Sequence, residues 1–178
     1  VEAKIRADAR IENDPDLLAH LVYETIAQQL GVLVICPTKA RCETLAEHIA
    51  RSIYTLEKSH NEPLAFLSKE KILDCLGELK STPSGLDSLL GNTVRYGVAF
   101  HHAGLTAEER EIVEAYFKHG HLLVICCTST LCSGINFPAR RVIIRTPIFN
   151  GKPLDVMSYK QMAGRAGRKG IDTHGESI

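Results

Sequence analysis

Val32-Leu33-Val34-Ile35-Cys36-Pro37-Thr38 is the stretch on which the fold turns. Five consecutive apolar residues rich in β-branched side chains read as a short strand buried on both faces. Pro37 stops it, because a proline cannot donate to a sheet ladder. Thr38 then caps a long amphipathic helix whose apolar positions, Ala40, Leu45, Ile49, Ile53 and Leu56, recur at helical spacing. A strand buried on both sides and followed at once by a helix is the unit of a parallel sheet covered by helices. Working outward, further strands are expected over Gly97–His101, Leu122–Cys126, Val142–Ile144 and Glu176–Ile178. A first helix is expected from a cap at Asn13 or Asp14, with Pro15 in its first turn and Gly31 at its end. Residues 58–67 read as a polar loop, and 69–80 and 84–91 as short helices. Thr106 and Glu109 form a capping box for a helix reaching about His119, and a last helix runs from Ser158 to about Arg168. The chain is therefore an α/β domain with a mainly parallel sheet, and its ligands are expected at the carboxyl ends of the strands.

Length and charge narrow the function. The chain has 178 residues, 21 of them basic and 21 acidic, so its formal net charge is zero. A protein that coats nucleic acid by charge alone would be basic, so any phosphate contact must be local. No apolar run is long enough to span a membrane, no secretory leader opens the chain, and Val1 suggests a fragment. The six cysteines form no Cys-x-x-Cys pair and are expected to be reduced and buried, which suits the cytosol or nucleus. His101 and His102 are adjacent on a strand and face opposite ways, which argues against one shared metal ion.

Near the C-terminus stands Gln161-Met162-Ala163-Gly164-Arg165-Ala166-Gly167-Arg168-Lys169-Gly170. On a continuous helix, Gln161, Arg165 and Arg168 would share one face. Gly164 and Gly167 are costly inside a helix, so either a partner approaches closely or the helix ends among them. Two guanidiniums and an amide suit a polyanion, because arginine stays charged and grips phosphate oxygens with two donors. The residues alone leave open a second reading, a solvated basic helix end stabilised by the helix dipole.

Other segments bear on that choice. The stretch from Gln161 to Gly170 resembles motif VI of the superfamily-2 helicases. Thr128-Ser129-Thr130-Leu131-Cys132-Ser133-Gly134-Ile135-Asn136 resembles motif V, Val34 to Thr38 motif IV, and Val98 to Leu105 the segment after it. Asn136 to Phe149, Pro83 to Ser88 and Gly170 to Thr173 narrow the resemblance to the group formed by polymerase-theta-type helicase regions and HELQ-type DNA helicases. Phe137 and Cys132 depart from the residues usual there, leucine and a small side chain.

The resemblance implies a RecA-like second motor domain over 31–178, carrying a mostly helical insertion at about 58–96, after a linker and lead-in helix over 1–30. It implies that Arg165 and Arg168 act as arginine fingers, and that Gln161 joins them on ATP with Gly134 and Asn136. Thr38, Lys39, His102, Gly104, Thr128, Ser129 and Thr130 are the expected nucleic-acid contacts. Threonine and serine hydroxyls beside free N–H groups at a helix start make a neutral cradle for phosphate, although each is also an ordinary cap. Lys39 and Arg41 oppose the dipole of the helix they open, an unfavourable placement that hints at function. Arg140 and Arg141 are further basic candidates, or a solvated strand edge.

The sequence contains no Gly-x-x-x-x-Gly-Lys-Ser/Thr loop and no acidic box to hold Mg²⁺. ATP and Mg²⁺ are therefore expected to rest mainly on a first motor domain, and this chain alone should not hydrolyse ATP. The implied partners are single-stranded DNA or a duplex with a single-stranded tail, the first motor domain, and further domains of the same polypeptide. The implied setting is nuclear DNA repair by end joining, with movement 3′ to 5′. Two other readings stand beside this one: an RNA helicase of the exosome or spliceosome type, and a binding module without activity.

Overall fold

The computed structural model describes residues 14, 16–60, 67–129, 139–149, 151–167 and 175–178. Its elements are α1 (Leu18–Ile26), β1 (Val32–Cys36), α2 (Lys39–His60), α3 (Lys69–Lys80), α4 (Ser88–Val94), β2 (Val98–His101) and α5 (Ala107–Lys118). There follow β3 (Val124–Thr128), β4 (Arg141–Ile144), β5 (Ile148–Phe149), β6 (Lys152–Pro153), α6 (Val156–Ala163) and β7 (Glu176–Ser177). Five strands form one sheet in the order β2-β3-β1-β4-β7, and every pairing in it is parallel. This is the expected RecA-like α/β architecture.

Central β1 is buried along its whole length. Because successive side chains point to opposite faces, full burial means that both faces are covered. Leu18, Val22 and Ile26 of α1, Ile49 and Ile53 of α2, Leu79 of α3 and Leu90 of α4 join the strands in one core. The lead-in helix and the helices of the 58–96 region thus bury their apolar faces in the same core as the strands.

Several boundaries differ from the sequence reading, each for a local reason. The first helix begins at Leu18 because Leu17 is left-handed, at φ 57. The Asp14 carboxylate accepts from Ala19 N and His20 N at 3.0 and 2.9 Å, so it caps from further upstream than expected. Pro15 lies outside the described residues. That helix ends at Ile26 rather than Gly31, in a turn that places Gln29 at φ 59. The helix read over 84–91 starts at Ser88 instead: Gly85 sits at φ +72, and the Asp87 carboxylate accepts from Leu90 N at 2.8 Å. The third strand is shifted two residues along, because Leu122 N and Leu123 N bond to Tyr116 O and Gly97 O. The Thr106–Glu109 capping box is present in full.

The last helix departs most. It spans Val156–Ala163, opened by Asp155, whose carboxylate accepts from Ser158 N at 2.9 Å. Gly164 closes it, with its N–H returning to Lys160 O. A side chain at Gly164 would press on that same carbonyl at 3.0 Å. Arg165 therefore lies in a turn after the helix, so it does not share a helical face with Gln161 as expected, and Arg168 lies outside the described residues.

Candidate nucleic-acid and nucleotide interface

The register of the sheet places three loops side by side. Cys36 is level with Thr128, and His101 with Cys127. The residues that follow β1, β2 and β3 therefore emerge along one carboxyl edge, where open parallel sheets hold ligands. Thr38 and Lys39 are exposed there, and Thr128 and Ser129 are half-buried. Thr38 Oγ1 accepts from Arg41 N at 3.3 Å, so the hydroxyl caps α2 and still faces solvent. The Lys39 stem lies against Gly104, its Cδ 3.7 Å from where a glycine-to-alanine methyl would stand. Lys39, Gly104, Thr128 and Ser129 thus share the edge. Thr130, Gly134 and Asn136 fall outside the described residues.

His102 does not line this edge as expected. It is 3% exposed and stacks on Phe100 with ring centroids 5.3 Å apart. Its Nδ1 accepts from Gly104 N at 3.1 Å. Its Nε2 lies 3.0 Å from Glu43 Oε1, a close charge contact without the alignment of a full hydrogen bond. An acceptor at Nδ1 requires the proton of the neutral ring to sit on Nε2, toward Glu43. The physical reason for the correction is burial: the ring holds the loop from beneath and presents Gly104 to solvent. A methyl on Gly104 would meet the His102 ring at 2.9 Å, so glycine is required.

Neighbouring His101 is fully buried and pairs through Nε2 with Glu114 at 2.8 Å. The two rings thus go to different helices, α5 for His101 and α2 for His102. Burial pushes both histidines below the ordinary value of 6.5; Glu114 and Glu43 respectively oppose the shift, and Arg110 and Lys39 add to it. Since the folded pKa values are lowered, the unfolded chain binds protons first on acidification. Stability from these sites is complete above pH 6.5 and is lost as the pH falls from there through the folded values. Urea denaturation at pH 7.5 and 5.5 should show a lower midpoint at pH 5.5, with a smaller difference for His102→Gln.

The turn carrying Arg165 lies at the other end of the strands. Ala139 N donates to Arg165 O at 3.3 Å and Gly167 N to Ala139 O at 2.7 Å, while Arg140 N donates to Gly31 O just before β1. Ala139 and Ala166 thus form an isolated parallel bridge at the amino end of the sheet. At ~3.3 Å per residue, a five-residue strand separates this turn from the Thr128 edge by on the order of 15 Å. Arg165 thus stands away from the carboxyl ends, where ligands are expected, because the chain after β4 returns through α6 to the start of that strand. Gln161 is exposed and Arg165 half-buried, and the Arg165 guanidinium has no ion-pair partner among the described residues. Gly167 stands at φ 90, and Gly175 packs so tightly that a methyl there would lie 2.4 Å from the Ala166 carbonyl. Arg168 is outside the described residues.

Arg141, read from the sequence as a basic candidate or a solvated strand edge, is a clamp. Its guanidinium donates to Glu24 at 2.8 Å, Glu176 at 2.7 Å and Leu21 O at 2.8 Å, tying α1, β4 and β7 together. The sequence reading missed this pairing, as it missed Glu43, Glu114 and the β5–β6 hairpin. No local signal marks the first three, since each partner is distant in sequence. Gly151, at φ 73, was the available cue for the hairpin. Cys36, Cys42, Cys75 and Cys126 are buried free thiols, and Cys127 is buried as well. Among the described residues no cluster of three or more His, Cys, Asp or Glu could hold a metal ion, and no helix is long and apolar enough to cross a membrane.

Residues 78–170 match the model of the helicase conserved C-terminal domain. Over 95% of its length the chain is 54% identical to DNA polymerase theta of Mus musculus, covering 7% of that protein. It is 44% identical to the helicase POLQ-like of Homo sapiens over 97% of the chain and 15% of that protein. It is also 40% identical to the ATP-dependent DNA helicase Hel308 of Methanocella arvoryzae over 92% of the chain and 22% of the relative. The chain thus spans under a quarter of the length of each of these relatives.

Proposed function

We propose, from the premise that this chain belongs to the helicase conserved C-terminal domain family, that it is the second motor domain of an ATP-dependent DNA helicase. The observation that carries this reading is the placement of Arg165. A guanidinium without a carboxylate partner among the described residues, held on a turn between Gly164 and Gly167, suits an anion supplied by another domain. In phosphoryl transfer such a finger stabilises the charge that develops on the transferred group. The nucleotide and its Mg²⁺ would rest mainly on a first motor domain, with Gln161, Arg165 and Arg168 closing over them and Gly134 and Asn136 nearby.

The carboxyl edge is the proposed track for one nucleic-acid strand. Thr38, Thr128, Ser129 and Thr130 would hold phosphates through hydroxyl and backbone donors, with Lys39 and Gly104 alongside. Neutral donors of this kind fit a chain with zero net charge. Thr128 and Arg165 stand at opposite ends of one sheet, which supports a reading in which domain closure around ATP would displace the track as a unit. Repeated closure and opening would advance it along the strand. The names of the relatives favour DNA as the track's ligand, and a nuclear role in end-joining repair by a polymerase-theta-type protein extends that reading. The domain would occupy about 31–178.

The test is substrate-stimulated ATP turnover by the intact protein. Single-stranded DNA should stimulate more strongly than RNA of the same sequence; the reverse would favour an RNA helicase, and no stimulation by either would favour a binding module. Thr128→Ala with Thr130→Ala should weaken single-strand binding across all sequences with little change in its salt dependence, because neutral contacts release no counterions. A loss confined to one base context would place the track elsewhere.

A further inference from the structure

Resting on that reading, we infer that a cavity beside the track, between the ends of β1 and β4, is an additional binding site for a nucleic-acid backbone phosphate, gripped by Arg41 and Arg145. The cavity measures about 400 Å³. The two arginines line it together with Thr146, and Pro37, Leu45 and Ile148 supply apolar walls. It opens at the same carboxyl edge as Thr38, on the β4 side of β1, whereas Gly104, Thr128 and Ser129 lie on the β3 side.

Three observations point to an anion. Arg41 is exposed in the first turn of α2, where its charge opposes the helix dipole, and that turn carries no acidic residue. Arg41 has no ion-pair partner among the described residues. Arg145 donates through Nε to Asp16 Oδ2 at 2.8 Å, which fixes its guanidinium while the two terminal nitrogens meet no carboxylate among the described residues. Finally, the Cys36 thiol at the cavity lies below its ordinary value. The first cause is a hydrogen bond from Cys42, working against burial, and the Arg145 and Arg41 charges add to it. The apolar walls suit the sugar or base attached to the phosphate, as in other single-strand grooves. The charge of the site is net positive, two arginines against one aspartate, in a chain that is neutral as a whole.

The test compares Arg41→Gln, Arg145→Gln and the double variant in the intact protein, reading the affinity for a single-stranded oligonucleotide over a salt series. For a phosphate contact, the slope of log K against log salt should become shallower by about 0.7 for each arginine removed. Arg41→Lys should keep most of the slope, since the point charge remains. Unchanged slopes in both single variants would overturn the inference. So would a loss of affinity in Asp16→Asn as large as that in Arg145→Gln, because Arg145 would then be a prop for the fold. A double variant that binds ATP more weakly but DNA normally would also overturn it, by assigning the cavity to free nucleotide. Arg41 has no ion-pair partner to lose among the described residues, so its variant stays informative if Arg145→Gln destabilises the domain. If Thr128→Ala with Thr130→Ala weakens DNA binding while the arginine variants do not, the track stands and only this cavity fails.

Discussion

Arg168→Ala in the intact protein should lower nucleic-acid-stimulated ATP turnover by about 10³-fold or more while ATP binding stays nearly unchanged, and Arg165→Ala should act in the same direction. Removal of an arginine that meets charge developing on a transferred phosphoryl group costs on the order of 10³–10⁵ in rate. Binding of the ground state depends mainly on the domain that cradles the nucleotide, so the effect should fall on turnover. The fold gives an internal control for Arg165. Its structural bond is made by the backbone carbonyl, which accepts from Ala139 N, and alanine retains that carbonyl. Steady-state turnover, equilibrium binding of a nucleotide analogue and a melting curve on the same samples decide the matter. Unchanged turnover would remove the finger assignment, and a collapsed melting temperature would replace it with a structural role.

The second large effect is expected at a residue with no side chain. Gly175→Ala places a methyl 2.4 Å from the carbonyl carbon and oxygen of Ala166 and 2.5 Å from Gly167 N. The obstacles are backbone atoms, so no change of rotamer relieves the clash. Overpacking of this kind costs about 1–3 kcal/mol. The strain falls on two connections at once: the edge strand β7, which Arg141 holds through Glu176, and the Ala166–Ala139 bridge beside Arg165. The variant should therefore melt earlier and also lose ATP turnover. A reduced melting temperature with full turnover below the transition would show that the bridge does not position the finger. Gly120→Ala makes a useful comparison, because it isolates backbone strain from steric clash: Gly120 stands at φ +72, and no atom lies within 4 Å of the added methyl.

The sheet and most of its helices were legible in the chain because their signals are local. Val32–Cys36 is apolar at every position, and an uninterrupted run of that kind has to be covered on both faces. Thr106 and Glu109 lie three residues apart, so their reciprocal capping is written in adjacent letters. Boundaries were misread where one residue's backbone overrode a longer pattern, as at Leu17, Gly85 and Gly164. The resemblance in the C-terminal stretch led to the helicase family even though the helical face assumed for it was incorrect. Motif identity survived an error in geometry because it depends on residue order alone.

What the sequence alone determined, then, was a covered parallel sheet, a stretch of residues without a phosphate-loop motif, and the Gln161–Gly170 run with its two arginines. Only the tertiary structure decided that Arg165 and Thr128 stand at opposite ends of that sheet. It also turned His102 inward onto Glu43, 59 positions away in the chain, and made Arg141 a clamp. It brought Arg41, in the helix after β1, and Arg145, in the segment after β4, to one cavity. These facts depend on long-range pairing between side chains, and periodicity within a segment carries no information about which distant segment will face it.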